Sequence, residues 1–278
     1  MCSREVSKLG EGIYLWMGEF SHMKIAVLVK TALDTGQLRV RDTVVVEETP
    51  LKISDIDRNA VEEAVKLKGQ GQAYGVTVLK WGPLQKRVQE AENVLREALA
   101  MGLDEAYLVA DEALLNASHV ATAKAIAAVV KKVGADLVLA GEATVDNYTG
   151  QIPARVAAEL GWPVITYARE LKVEGGKVVA KRDLEDRVEV VEAPLPAVVS
   201  VTREINQPRI PTLLAIRAAM KKPVHKLTLG DLGISLDVKA KASYKPVVIQ
   251  RKKVIIKDGT PEEKAEKLIQ YLRQEGVV

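Results

Sequence analysis

Apolar residues along this chain change their period several times, and each change marks a new element. Residues 24–29, Lys-Ile-Ala-Val-Leu-Val, are continuous enough for a strand buried on both faces, and residues 30–34 form the loop after it. Val44, Val45 and Val46 read as a second short strand. Asp55 and Asp57 precede an amphipathic helix over residues 60–67, with acidic groups near its start. Residues 74–79 return to a strand. Residues 84–101 then place Val88, Ala91, Val94, Leu95 and Ala98 on one helical face, with Gly102 as the stop. A strand over 106–109 leads to a helix that Ser118 or His119 opens and that runs to Val133. Residues 136–140 are again strand, and Ala154, Val156, Ala157 and Leu160 recur at helical spacing behind the next loop.

Strand and helix alternating in this way predict an α/β fold with a mostly parallel, doubly wound sheet covered on both faces. After Leu160 the rhythm changes. Residues 171–180 and 187–191 alternate apolar with polar, with a turn at Glu174, Gly175 and Gly176, and residues 196–201 read as a further buried strand. This is a β-rich extension of the sheet. Prolines punctuate residues 206–214 before a helix over 215–221. Beyond Leu232 core residues are sparse until a charged helix over 261–274, whose Leu268, Ile269 and Leu272 share one face. Residues 1–22 show no clean period and Met23 reads as a natural start. The expected organisation is therefore an N-terminal extension over 1–22, a nucleotide-binding domain over 23–232 and a C-terminal arm over 233–278.

The chemistry is narrowed mainly by what is missing. The 278-residue chain carries 40 basic and 37 acidic residues, a formal net charge of +3, so it has no basic field suited to nucleic acid. No apolar run reaches the roughly 18 residues of a membrane span. The single cysteine, Cys2, excludes an intramolecular disulfide and a cysteine metal cluster, and suits a cytoplasmic location. His22, His119 and His225 follow no metal-ligand spacing and read as structural or surface residues. No serine nucleophile elbow and no metalloprotease helix occurs. Glu62 and Glu63 read as a solvated helix face.

What remains is a cradle. The buried run ending at Gly141, a loop over residues 142–148, and a helix opening behind Thr149, Gly150 and Gln151 offer free amides and a positive dipole end to an anion. Gly82 and Gly141 follow strands of one parallel sheet, where ligands gather beyond the carboxyl ends. Asp146 in that loop either contacts the ligand or caps the next helix.

At these loops the chain resembles the beta subunit of electron-transfer flavoprotein, a family that includes nitrogen-fixation-associated homologues. The likeness runs from Lys24 to about Gly233. It takes in residues 24–30, Ala60-Val61-Glu62-Glu63-Ala64, Trp81-Gly82-Pro83, Ala98-Leu99-Ala100-Met101-Gly102 and Asp136 through Gly141. Its most specific part is Asn206-Gln207-Pro208-Arg209-Ile210-Pro211-Thr212-Leu213, followed by Lys221-Lys222-Pro223 and Gly230-Asp231-Leu232-Gly233.

The resemblance implies a heterodimer with an alpha subunit that carries an electron-transferring FAD. It also implies a second nucleotide in the beta subunit, AMP in conventional members and FAD in electron-bifurcating ones. The pocket would draw on Leu28, Val29, Lys30, Ser54, Trp81, Gly82, Gly141, Glu142, Ala143, Thr144, Val145, Asp146, Asn147, Tyr148, Thr149, Gly150 and Gln151. Leu213 matches the leucine that anchors the docking loop, near residues 206–214, to a dehydrogenase. The chain departs from the family pattern in a pocket loop shorter than the mitochondrial type, and in Ser54-Asp55 where many relatives have Asn-Pro. A less crowded rim favours FAD. A bifurcating member would oxidise NADH and divide the electrons between the alpha-subunit flavin, leading to a quinone oxidoreductase or dehydrogenase, and ferredoxin or flavodoxin. A conventional member would hold AMP as a structural ligand and act only as an electron carrier. A different class, an adenine-nucleotide-binding regulatory module with no redox role, fits the same kind of sheet.

Overall fold

A computed structural model describes residues 22–115, 117–236 and 252–278. Strand β1 (Lys24–Leu28) leads into an antiparallel pair, β2 (Thr31–Leu33) and β3 (Leu51–Ile53). The expected strand at Val44 to Val46 is not formed. Val44 makes only an isolated bridge to Val40, and Val46 begins a short 3-10 turn. A valine triplet has strand propensity, but the strand partners here lie on either side of it, in the supposed loop at Thr31 and ahead of Ser54.

The chain continues through α1 (Asp55–Leu67), β4 (Gln72–Val78), α2 (Leu84–Met101) and β5 (Glu105–Val109). Helix α3 (His119–Val133), β6 (Leu137–Gly141) and α4 (Ile152–Leu160) follow. Gly102 closes α2 with φ 127°, and the Ser118 side chain caps α3 by accepting from the Ala121 amide at 3.2 Å. Next come β7 (Val164–Glu174), β8 (Lys177–Leu184), β9 (Arg187–Pro194) and β10 (Ala197–Val201), then α5 (Leu213–Ala219) and β11 (Val224–Leu227). Helix α1 starts five residues before the expected Ala60, because Ser54 sits in extended backbone and lets Asp55 begin the first turn. Helix α5 likewise begins at Leu213 rather than Ala215, since the Thr212 hydroxyl accepts from the Ala215 amide at 3.2 Å.

The main sheet has nine strands in the order β11-β5-β4-β1-β6-β10-β7-β8-β9. Neighbours from β11 to β7 are parallel, while β8 and β9 add antiparallel hairpins at one edge. Period-two alternation on the central strands divides the core in two. Ile25, Val27, Leu137, Leu139, Ala197 and Val199 meet α1 and α2 on one face. Ala26, Leu28, Val138, Ala140 and Val198 meet α3 and α4 on the other. The fold is the expected α/β one, a mostly parallel sheet with a β-rich edge.

Residues 252–278 belong to a separate compact unit. Their helix α6 (Pro261–Gln274) opens on a capping box in which Thr260 and Glu263 exchange side chain and backbone bonds. Leu268 and Ile269 on it are exposed. Residues 1–21, the bulk of the expected extension, lie outside the described residues, as does part of the expected arm, 237–251. Among the described residues no helix is long and apolar enough to cross a membrane.

Candidate functional site

The sheet order creates the site. From β1 the chain moves outward to β4 and β5, then crosses back to place β6 on the opposite side of β1. Loops leaving β1 and β6 therefore part in opposite directions, and a crevice opens between them. The turn after β4 lies one strand further out. Trp81 and Gly141 therefore follow strands that are not neighbours, since β1 stands between β4 and β6.

The cleft encloses about 680 Å³ of space when its open mouth is included. Its apolar floor and walls include Leu28, Val76, Val78, Ile126 and Ala140. Of the residues expected from sequence, Leu28, Val29, Lys30, Gly141, Glu142, Ala143, Thr144, Asn147, Thr149, Gly150 and Gln151 line it. Ser54, Trp81, Gly82, Val145, Asp146 and Tyr148 are not among the lining residues. Ser54 is buried at the start of α1, and Tyr148 is largely exposed with φ 49°. The carbonyl of Gly82 accepts from Arg87, whose fully buried guanidinium also reaches the Val46 carbonyl.

Asp146 neither caps α4 nor projects into the cleft. Its carboxylate accepts from Lys30 Nζ at 2.6 Å, the Thr144 hydroxyl at 2.9 Å and the Leu33 amide at 3.2 Å. The loop after β6 is thereby tied to the loop after β1, and Lys30 is held at the cleft wall. Lys30 Nζ also lies 5.9 Å from the Trp81 ring centroid, so Trp81 supports the site from behind.

Several lining residues carried no sequence signal. Asp57, in the first turn of α1, is buried where β1 and β6 part, and its carboxylate accepts the Lys30 amide at 2.8 Å. The Gly141 amide also bonds it. Burial pushes the Asp57 carboxyl up to about 7, against the pull of those two amides and the Lys30 charge. A β-carbon on Gly141 would lie 2.6 Å from Asp57 Oδ1, so this strand end must be glycine for the carboxyl to sit there. Thr77 also contributes to the cleft lining, and its hydroxyl is buried with no hydrogen-bond partner among the described residues. Lys80 lines the cleft at the end of β4. Desolvation, reinforced by the Lys30 charge, lowers its ammonium to about 8. His119, read from sequence as structural or surface, is the first residue of α3 and lines the cleft too. Burial, and then the charges of Lys80 and Lys30, hold its imidazole below the ordinary histidine value.

A second feature stands on the other side of α1. Glu62 and Glu63, expected on a solvated face, are buried, and with Asn59 they hold the proline-punctuated segment. Glu62 accepts from Arg209 Nε at 2.7 Å and Nη2 at 3.0 Å, and Glu63 from Asn206 Nδ2 at 3.0 Å. Asn59 donates to the Arg203 and Asn206 carbonyls at 3.1 and 2.8 Å. Clamped in this way, the segment presents Ile210, Leu213 and Leu214 to solvent at 91, 81 and 77% exposure. Leu213 does not pack inward.

The profile of the electron transfer flavoprotein domain matches residues 42–232, a span that includes every strand from β3 to β11. Among curated relatives, the electron transfer flavoprotein subunit beta of Thermoanaerobacterium thermosaccharolyticum is 39% identical over 216 residues, covering 76% of this chain and 81% of its own. The subunit beta of Megasphaera elsdenii is 36% identical, with 74 and 78% covered. A caffeyl-CoA reductase-Etf complex subunit, CarD of Acetobacterium woodii, is 36% identical, with 77 and 81% covered. Identity sustained at that level across most of both sequences leaves one conclusion: the chain belongs to the electron transfer flavoprotein family, among its beta subunits.

Proposed function

We propose that this chain is the beta half of a heterodimeric, cytoplasmic electron carrier. In this reading it holds an adenylate-bearing cofactor in the cleft between β1 and β6. The observation that carries the reading is the cleft itself, apolar at its floor and cationic at Lys80. An adenine ring suits the apolar walls around Leu28 and Ile126. Amides of the loop after β6 and the start of α4 suit a phosphate.

FAD is the cofactor we favour. The cleft is open at its mouth, so a dinucleotide can seat its adenylate half inside and extend the rest outward. The name of the Acetobacterium woodii relative, a subunit of a reductase-Etf complex, is compatible with such an electron-splitting assembly. When bound, FAD would supply the electron acceptance, from NADH in a bifurcating complex, and the onward transfer. The chain's own residues bind, orient and exclude water: Asp57 fixes the two strand ends, and Asp146 fixes Lys30. AMP is the second reading. It is favoured by the absence of a phenylalanine, tyrosine or tryptophan among the lining residues, which leaves an isoalloxazine no large aromatic face inside the cleft.

The alpha subunit is the proposed partner, and residues 245–278 are the proposed arm that wraps it, with Leu268 and Ile269 as the contact face. Electrons would leave for a dehydrogenase or quinone oxidoreductase docked at Leu213, with ferredoxin or flavodoxin as the low-potential acceptor. Coexpression with the alpha subunit tests the pairing: the two should copurify, and removing residues 245–278 should abolish this. Unchanged copurification of the truncated chain would refute the arm. Failure of the full-length chain to pair at all would favour the non-redox regulatory module.

A further inference from the structure

Three helices of the nucleotide domain, α1, α3 and α4, send residues from their first turns into the cleft wall: Asp57, His119 and Ile152. Their dipoles converge a positive potential there. Of the cations beside it, Lys30 is neutralised by Asp146 at 2.6 Å. Lys80 is not. Among the described residues its ammonium makes no hydrogen bond and no ion pair, although it is half-buried and lines the cleft. His119 faces the same space, its Nε2 3.5 Å from the Thr149 hydroxyl in the loop after β6. An unneutralised ammonium, an imidazole at a helix start and a hydroxyl thus line one cleft, the ammonium close enough to the imidazole to act on it electrostatically. A protein gains nothing in stability from a desolvated, unpaired cation, so the arrangement points to a ligand charge.

We propose that Lys80 and His119 form the phosphate-recognising side of the cleft, with Lys80 as the specificity-determining charge that distinguishes a phosphorylated adenosine from adenosine itself. The proposal rests on the nucleotide reading of the cleft and deepens it. Both FAD and AMP carry a phosphate on the adenosine 5′ oxygen, so the shared chemistry is an adenosine 5′-phosphate. Lys80 donates to the phosphate oxygens as an ammonium. His119 donates through the ring nitrogen nearest Thr149 when that nitrogen is protonated.

This assignment has a pH signature. The charges that act on Lys80 are those of Lys30 after β1 and Asp146 after β6, and Lys80 in turn acts on His119 of α3, which Arg155 of α4 also influences; Asp57 on α1 and Glu142 after β6 line the same cleft. In the free cleft, desolvation and then the Lys30 charge lower Lys80 to about 8, so part of the population is neutral at mildly alkaline pH. A bound phosphate restores the proton. Affinity for the phosphorylated ligand therefore declines as pH rises past about 8, while affinity for adenosine does not change over that range.

The test uses the heterodimer freed of nucleotide and titrated calorimetrically with AMP and with adenosine. Lys80→Gln should weaken AMP by roughly tenfold or more, as loss of a hydrogen bond to a charged group does. Adenosine binding should stay within about twofold, a neutral ligand being blind to a charge contact. Lys80→Arg should restore most of the AMP affinity, and Lys80→Gln should flatten the alkaline decline. Equal losses for AMP and adenosine, or no loss for either, would overturn the phosphate assignment while leaving the nucleotide reading intact. A wild-type complex that binds neither ligand would overturn both.

Discussion

Arg209 and Glu62 form a two-pronged ion pair, at 2.7 and 3.0 Å, and the backbone amide of Arg209 donates to the same carboxylate at 3.2 Å. The carboxylate is nearly buried on α1, and the guanidinium half exposed. One residue of the segment is thus fixed by side chain and main chain together, three positions before the solvent-facing Thr212-Leu213 turn. Bidentate geometry of this kind specifies orientation as well as energy. The side-chain bonds to Arg209 lower the Glu62 carboxyl below its ordinary value, despite burial. That contribution is complete above the unfolded-state carboxylate range and is lost as pH falls through the lowered value.

Arg209→Ala should free the segment while leaving the core intact. The pair is half exposed on one side, so the expected cost in global stability is small, about 1 kcal/mol. Hydrogen exchange over residues 203–212 should rise well above wild type. An unchanged exchange pattern would show that the Asn59 and Asn206 bonds hold the segment without Arg209.

Leu213→Ala separates docking from folding. With 81% of Leu213 exposed, the stability change should lie within about 0.5 kcal/mol. Electron transfer to the partner dehydrogenase should slow by roughly tenfold or more if burying this side chain anchors the complex. Equal rates for the two proteins would remove Leu213 from the interface.

Gly141→Ala tests the close approach at the crevice. Its new β-carbon would meet Asp57 Oδ1 at 2.6 Å and the Ile56 carbonyl carbon at 3.2 Å. Backbone cannot yield as a flexible side chain can, so a destabilisation of about 1–3 kcal/mol should appear in chemical denaturation. Nucleotide content should fall with it.

Asp57 supplies a prediction about pH. Burial raises its folded-state carboxyl from 3.8 to about 7, so between those values the folded chain holds a proton that the unfolded chain has released. Stability from this group is therefore full at low pH and declines as pH rises toward 7, with no further loss above it. Each unit of separation is worth about 1.4 kcal/mol. Asp57→Asn removes that slope, so its stability relative to wild type should improve steadily from pH 4 to pH 7. A constant difference across the range would show that Asp57 is ionised throughout.

Much of this fold can be read from residue pattern, because most elements follow local rules. Helix α2 occupies the residues its apolar face and Gly102 predict, and α3 is capped by Ser118 as expected. Helix α6 likewise runs over residues 261–274. The missed elements depend on partners distant in sequence. Thr31 to Leu33 becomes a strand only because Leu51 to Ile53 pairs with it. Glu62 and Glu63 look like a solvated face until residues 203–212 fold over them.

The cleft divides along the same line. Its loop after β6 is visible as strand, loop and helix in succession. Asp57 comes from α1, Thr77 and Lys80 from β4 and its end, and His119 from α3, and only the crossover from β5 back to β6 brings them to that loop. Asp146 reads from sequence as either a ligand contact or a helix cap, yet it is consumed by Lys30, Thr144 and Leu33. Pairing across more than a hundred residues leaves no local trace.

Quantifying the nucleotides released from the intact, copurified heterodimer bears most directly on the central claim, that the β1–β6 cleft holds an adenylate-bearing cofactor. The account predicts two FAD per heterodimer, one of them lost when Gly141 is replaced by Ala. One FAD with one AMP would preserve the cleft and reject the second flavin. One FAD with no further adenine nucleotide would contradict the account.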